Sequence, residues 1–240
     1  MAFHVMLYDA ATAEPLALIE ANALGQIRTG AATGVATDAL ARREAASVGL
    51  IGSGFQSWTQ LEAVLTVRPG VKDVRVYSRK AERREEFAAR ARDAFQSNVR
   101  AVKSAEEAVR DADVVVTCTY AKDPVLDNAW VSTTTHVNAA GSNQKDRREI
   151  PADLVRRASL IAVDSLEQAR VEAGDLLLAA PHEQWTSLPM RELGSILADA
   201  NFVRPNGVTL FESLGLAAQD IAAAALVYGR AKGENVGEPI

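Results

Sequence analysis

The sequence predicts an α/β fold in which a parallel sheet is doubly wound, with helices on both faces. Three observations carry this. Short apolar runs recur along the chain: SVGLIG (47–52), DVRVYSR (73–79), DADVVVTCT (111–119), THVNAAG (135–141) and SLIAVDS (159–165). Helical or loop segments separate them, and the clearest helices are expected over 55–67 and 80–94. Within the runs, VVV and LIAV are apolar at consecutive positions, which suits strands covered on both faces. Strand alternating with helix is the pattern of βαβ units and their parallel sheet.

Ahead of this pattern, FHVMLYD (3–9) alternates as a strand does, and PLALIE (15–20) reads as a second strand after an acidic, small-residue turn. The two together resemble a hairpin. The alanine-rich run from Arg28 to Arg43 has helical composition. Gly30 and Gly34 weaken that helix by up to about 1 kcal/mol each, and glycines that a helix tolerates often mark close packing. Near the end, GVTLFES reads as a short strand, and LGLAAQDIAAAALVYGRAKG as an amphipathic helix stopping near Gly233. The sequence shows no linker rich in Pro, Gly or Ser and no internal repeat.

Composition narrows the function. A chain of 240 residues can bury a sizeable core, and 48% hydrophobic with 24% charged residues is ordinary for a soluble globular protein. A formal charge of -5 supplies no basic field for nucleic acid or an anionic membrane, so neither partner is expected. Apolar stretches such as Ile221 to Val227 fall well short of the roughly 20 residues that cross a bilayer, and no basic region followed by an apolar core opens the chain. A cytoplasmic location is expected. The single cysteine, Cys118, excludes an intrachain disulfide framework and a cysteine zinc cluster; in a buried apolar strand it reads as core rather than nucleophile. His4, His136 and His182 lack metal-ligand spacing, read as structural or surface residues, and leave no metal expected.

The run GLIGSGFQS (49–57) carries the first chemistry. Gly52 and Gly54 form a G-x-G in which the first glycine permits a tight turn and the second lets a pyrophosphate approach the backbone. Ser57 stands where the full fingerprint has its third glycine, and a small residue suffices there. A helix opening near Phe55 would offer unpaired N–H groups and its positive dipole end to phosphates. The alternative is a left-handed turn that ends a strand and holds no ligand. The buried strand before it, the helix after it and the second strand at a βαβ distance favour a Rossmann dinucleotide site.

That second strand ends in YSRKAERR. An acidic residue there would accept from the 2′-hydroxyl of NAD; instead Ser78, Arg79 and Lys80 stand there, with Arg83 and Arg84 one turn on, which favours a 2′-phosphate and hence NADP(H), with NAD(H) as the second reading. The alternative is a solvated helix start whose cations pair with Glu82, Glu85 and Glu86.

Four blocks, LYDAATAEPLALIEANALGQIRTGAATGVATDALAR, GLIGSGFQSWTQLEAV, VNAAGSNQKDRREI and TLFESLGLAAQDIAAAALVYGRA, together resemble the ornithine cyclodeaminase and mu-crystallin family, in the family's order and over nearly the whole chain. The resemblance implies a Rossmann domain, here residues 29–212, inserted in a smaller dimerisation and substrate domain, of which residues 1–28 and 213–240 form a remnant. It also implies a homodimer and hydride transfer at the carbon bearing an amino acid's nitrogen, on a small amino acid or cyclic imine.

Residue by residue, the resemblance casts Arg28 of RTG as the contact to substrate carboxylate and cofactor, which its planar fork suits. Phe55 and Gln56 lie along the pyrophosphate, and Thr117 and Thr119 follow the strand edge near the cofactor. Ala140, Gly141, Ser142 and Asn143 match the turn beside the nicotinamide, with Arg147 shortly after it. Ser213 and Leu214 resemble the segment that closes over nicotinamide and substrate. Plainer roles stay open: Thr117 and Thr119 as strand formers, Arg147 as part of the surface run KDRRE, Ser213 as a helix cap.

Two departures temper the resemblance. The cyclodeaminases and related dehydrogenases place an acidic residue where this chain has Asn143, and an amide orients by hydrogen bonding but exchanges no proton near neutral pH. The chain also begins where the family is well into its first domain, so the family's substrate lysine has no counterpart here. The first twenty residues must then pair with each other or with another subunit, since open edges and apolar faces are pairing hazards. The expected function is NAD(P)-dependent hydride transfer to an imine; ornithine cyclodeamination to proline and ammonia, and NADPH binding without catalysis, are the alternatives.

Overall fold

The computed structural model describes residues 3–238, so residues 1, 2, 239 and 240 of the expected smaller domain lie outside it. The chain divides into two compact units. One holds the residues up to Thr29 and from Gly215 onward; the other runs from Gly30 to Leu214.

In the first unit, β1 (His4–Tyr8) pairs antiparallel with β2 (Pro15–Glu20). These two strands therefore find their partners in each other. Asp9 shapes the turn: its Oδ1 accepts from the N–H of Ala11 at 2.8 Å and of Thr12 at 2.9 Å, which holds its carboxyl below the usual range. The first turns of α1 (Asn22–Leu40) and α9 (Ala217–Glu234) complete the unit around Leu7, Ala21, Leu24 and Ala224. Of α9 only Ala224 is buried, and Ile221, Leu226 and Val227 are exposed.

The second unit is an eight-stranded sheet in the order β5-β4-β3-β6-β7-β10-β8-β9, parallel at every pairing. Its strands are β3 (Ser47–Ile51), β4 (Asp73–Tyr77), β5 (Val99–Ala101), β6 (Val114–Thr117), β7 (His136–Ala139), β8 (Leu160–Val163), β9 (Met190–Glu192) and β10 (Thr209–Glu212). The crossovers contain α2 (Phe55–Val67), α3 (Ala81–Phe95), α4 (Ala105–Val109), α5 (Ala152–Arg157), α6 (Leu166–Glu172), α7 (Gly174–Leu177) and α8 (Leu193–Ala198). Alternation serves both faces: β6 sends Val115 into one core and Val114 and Val116 into the other.

From β3 the chain winds outward through β4 to β5, then returns to lay β6 on the other side of β3. This reversal opens a crevice outside the carboxyl ends of β3 and β6, where doubly wound folds bind their ligands. The edge strands β5 and β9 have three residues each, too short to show a period in the sequence, and short edges limit pairing with other chains.

α1 begins at Asn22, ahead of the expected Arg28. Glu20 Oε1 accepts from the Asn22 N–H at 2.9 Å, and Gly25 within the first turn faces open space. The far end stops at Leu40, where the buried Arg68 guanidinium donates to the carbonyls of Thr37, Asp38, Ala41 and Arg42 and so satisfies a helix terminus. The close packing expected of Gly30 is present: a Cβ there would lie 2.5 Å from the Thr59 carbonyl oxygen. His136 is structural, with Nδ1 2.9 Å from Thr209 Oγ1 and Nε2 3.1 Å from Asn138 Oδ1, whose amide donates to Thr37 Oγ1. Burial lowers its pKa to about 3, so the ring is neutral.

Candidate active site

The β3–α2 turn is built around Gly52. Its φ of +123° lies where side chains rarely go, and a Cβ would run into the carbonyl oxygen of Cys118. Gly52 N–H donates to Tyr77 O at 2.8 Å and Cys118 N–H to Ile51 O at 2.8 Å, so the turn is clamped between β4 and the end of β6. Gly54 precedes the first turn of α2 and faces open space. The first N–H groups of a helix lack intrahelical partners, so this open end fits a pyrophosphate. Ser57 does more than stay small: its Oγ accepts from the Gly54 N–H at 3.1 Å and braces the turn from below.

At the end of β4, Ser53 Oγ donates to Ser78 Oγ at 2.8 Å and ties the turn to that strand. Arg84 is engaged within the protein, donating to Ser78 O at 2.9 Å with its guanidinium 5.6 Å from the Tyr77 ring centre. Arg79, Lys80 and Arg83 are exposed, and among the described residues no ion pair joins them to Glu82, Glu85 or Glu86.

The ends of β6, β7 and β10 are stitched side by side. Ala140 N–H donates to Thr117 O at 2.9 Å, and Ser213 N–H to Ala139 O at 2.9 Å. Thr117, Ser142 and Leu214 are buried, Thr119 is half-buried, and Ser213 Oγ is buried without a hydrogen-bond partner. Asn143 is exposed one position beyond Ser142. Arg147 is held on Tyr120, donating to its carbonyl at 2.9 Å with the guanidinium 4.5 Å from the ring centre. Cys118 lies just past β6; burial and the neighbouring Glu149 push its thiol up to about 12, far from a nucleophile.

Arg28 belongs to the other unit, where Nε donates to Asp220 Oδ1 at 2.8 Å and Nη1 to Gln219 Oε1 at 3.1 Å. Gly215, at φ +84°, packs where a Cβ would meet that guanidinium.

Sequence reasoning missed a buried set of carboxylates under the stitched edge. Glu149 Oε1 accepts from the Thr119 N–H at 2.6 Å and Oε2 from the Gly141 N–H at 2.9 Å. Asp175 Oδ1 accepts from the N–H groups of Glu149 and Ile150 at 2.7 and 2.6 Å, and Asp164 Oδ2 from Leu214 at 2.7 Å. Glu212 is fully buried, and neither of its oxygens has a hydrogen-bond partner. Burial pushes Glu149 up to about 7 and Asp175 upward, against their N–H bonds; burial and the nearby Asp175, Glu149 and Asp164 hold Glu212 well above the carboxylate range. The available signals were a glutamate ending the buried strand TLFE and another abutting Ile150 at the end of a charged run.

A parallel, doubly wound sheet with this turn at its reversal point defines a dinucleotide-binding α/β enzyme. A sequence model of the ornithine cyclodeaminase/mu-crystallin family matches residues 1–235. The Delta(1)-pyrroline-2-carboxylate reductase of Bacillus cereus is 38% identical over 239 residues, covering 98% of this chain and 73% of the relative. Among solved structures, the Thermococcus litoralis Delta(1)-pyrroline-2-carboxylate reductase in complex with NADH and L-proline superposes with a TM-score of 0.92 at 34% identity, covering 100% of this chain and 74% of that one. An archaeal alanine dehydrogenase dimer with bound NAD gives a TM-score of 0.91 at 33% identity, covering 100% of this chain and 74% of that one. The class is therefore an NAD(P)-dependent enzyme of the imine reductase and cyclodeaminase type. The chain belongs to the ornithine cyclodeaminase/mu-crystallin family. Among the described residues, no helix is long and apolar enough to cross a membrane, and no group of three or more His, Cys, Asp or Glu could hold a metal ion.

Proposed function

We propose that the protein is a cytoplasmic, homodimeric NADPH-dependent reductase of small cyclic imines bearing a carboxylate. The observation that carries this reading is the stitched edge, which sets the Ala140–Ser142 turn beside the end of β6, one strand from Gly52. In this reading Gly52, Gly54, Phe55 and Gln56 hold the pyrophosphate, and Ser78, Arg79 and Lys80 the 2′-phosphate. Thr117, Thr119, Ala140, Gly141, Ser142, Arg147 and Ser213 line the remainder of the cofactor. When bound, the nicotinamide supplies the hydride. Arg28 takes the substrate carboxylate, Leu214 packs against the substrate, and Asn143 orients the nitrogen. An amide there supplies no proton, which disfavours ornithine cyclodeamination.

Purified protein should oxidise NADPH in the presence of pyrroline-2-carboxylate or piperideine-2-carboxylate. Binding of NADPH with no turnover of these, alanine or ornithine would sink the catalytic reading in favour of a binding protein. Proline and ammonia from ornithine, without net cofactor change, would identify a cyclodeaminase. For the cofactor, the Arg79→Ala, Lys80→Ala double variant should lose about tenfold in NADPH affinity, the scale of one or two charged hydrogen bonds, while NADH binding stays within about twofold. Fluorescence titration measures both, and tighter NADH than NADPH binding by the wild type contradicts the assignment.

A further inference from the structure

We propose that Glu149 is a positioning residue, a single carboxylate that sets the spacing between the loop after β6 and the turn after β7 at the nicotinamide end of the site. The inference rests on reading that end as the cofactor's reactive end. The parallel ladder of β6 and β7 runs out at the bond from Ala140 N–H to Thr117 O, 2.9 Å. Just beyond it, the N–H groups of Thr119 and Gly141 converge on the same place. Two donors cannot bond each other, and a group with two acceptor oxygens can join them by giving one to each. Ionised Glu149 is such a group, and it assigns one oxygen to each, at 2.6 and 2.9 Å.

The surroundings are shaped for it. A Cβ on Gly141 would overlap the Glu149 carboxylate, so the glycine in the turn is what admits the brace. The backbone of Glu149 is pinned in turn: its N–H and that of Ile150 donate to Asp175 Oδ1, and its carbonyl accepts from the Val125 N–H at 2.8 Å. The side chain is fully buried. A carboxylate so enclosed is costly unless its bonds are needed, and here they replace the missing rung between two cofactor-facing segments. None of the groups that hold Glu149 belongs to the β3–α2 turn; the one link is the Cys118–Thr119 peptide, whose carbonyl packs against Gly52, so the brace acts chiefly at one end of the cofactor.

Glu149→Gln separates this from a general structural role, because its NH2 opposes one of the two N–H groups while shape is kept. Calorimetric titration of NADPH and of its fragment 2′-phospho-ADP-ribose should show NADPH binding weakened about tenfold and the fragment unchanged within about twofold. Equal loss for both ligands, or no loss for NADPH, overturns the proposal. Amide exchange decides it even if that variant fails to fold: in the wild type, Thr119 and Gly141 should be as protected as the interior of β6 and β7. Exchange as fast as at exposed Asn143 overturns the brace. A wild type that binds neither nucleotide defeats the functional reading, while the exchange measurement still judges Glu149.

Discussion

Gly52→Ala is expected to lower stability by about 2–3 kcal/mol, or about 5–10 °C in Tm for a chain of this size, and to weaken NADPH binding at least about tenfold. Two costs combine. At φ +123° an alanine is strained whatever the space around it, and its Cβ would strike the Cys118 carbonyl oxygen. That carbonyl sits on the residue whose N–H bonds Ile51 O at 2.8 Å, so relief of the clash parts β3 from β6 where the crevice opens. Gly54→Ala is the control. Its φ of -90° is ordinary and nothing lies within 4 Å of the added methyl, so it should melt like the wild type and lose only nucleotide affinity. Thermal melts and NADPH titration of both variants check this. A Gly52→Ala protein melting within about 1 °C of wild type would mean that the turn tolerates a side chain.

That contrast also explains what could be read from the sequence. Part of the demand on Gly52 is local, a strand, a tight turn and a helix within GLIGSGFQS; the Cys118 carbonyl that a Cβ would strike comes from far along the chain. The central strands were legible for the same reason, since VVV and LIAV carry their own burial pattern. Glu149 was not. In the sequence it ends a run of charges, KDRRE, that reads as solvated surface, and its burial depends on Thr119 and Gly141 arriving from two other strand ends. Arg68 was hidden likewise, because the carbonyls it satisfies lie 26 to 31 residues earlier. β5 and β9 were too short for any period, and the start of α1 at Asn22 carries a bond from its N–H to Glu20 that composition does not reveal. The resemblance named the turn holding Gly141, and only the fold revealed what holds that turn.

Glu212→Gln is expected to stabilise the protein at pH 8 and to change it little at pH 5. Glu212 is fully buried, its two oxygens have no hydrogen-bond partner, and Asp175, Glu149 and Asp164 add to the desolvation that raises its pKa. An acid raised in the folded state contributes stability that is fully present below its unfolded value and is lost as pH rises towards and through the folded one. The native protein then holds a proton that the unfolded chain gives up, and each pH unit in that window costs about 1.4 kcal/mol. Glu149, raised from 4.5 to about 7, adds to the same trend, so wild-type stability should fall between pH 5 and pH 8. A Gln at 212 keeps the shape, has no proton to lose, and offers an NH2 to the surrounding carboxylates. Melting curves of both proteins at pH 5, 6.5 and 8 test this; a wild type that grows more stable over that range, or curves that stay parallel, would refute it. Glu149 should respond in the opposite sense at neutral pH. Its charge is also costly to bury, but it is answered by two backbone N–H groups that Glu212 lacks, so removing it leaves two donors facing each other. Of two buried glutamates in one cluster, one can be replaced by its amide with gain and the other only with loss, and hydrogen bonding rather than burial separates them.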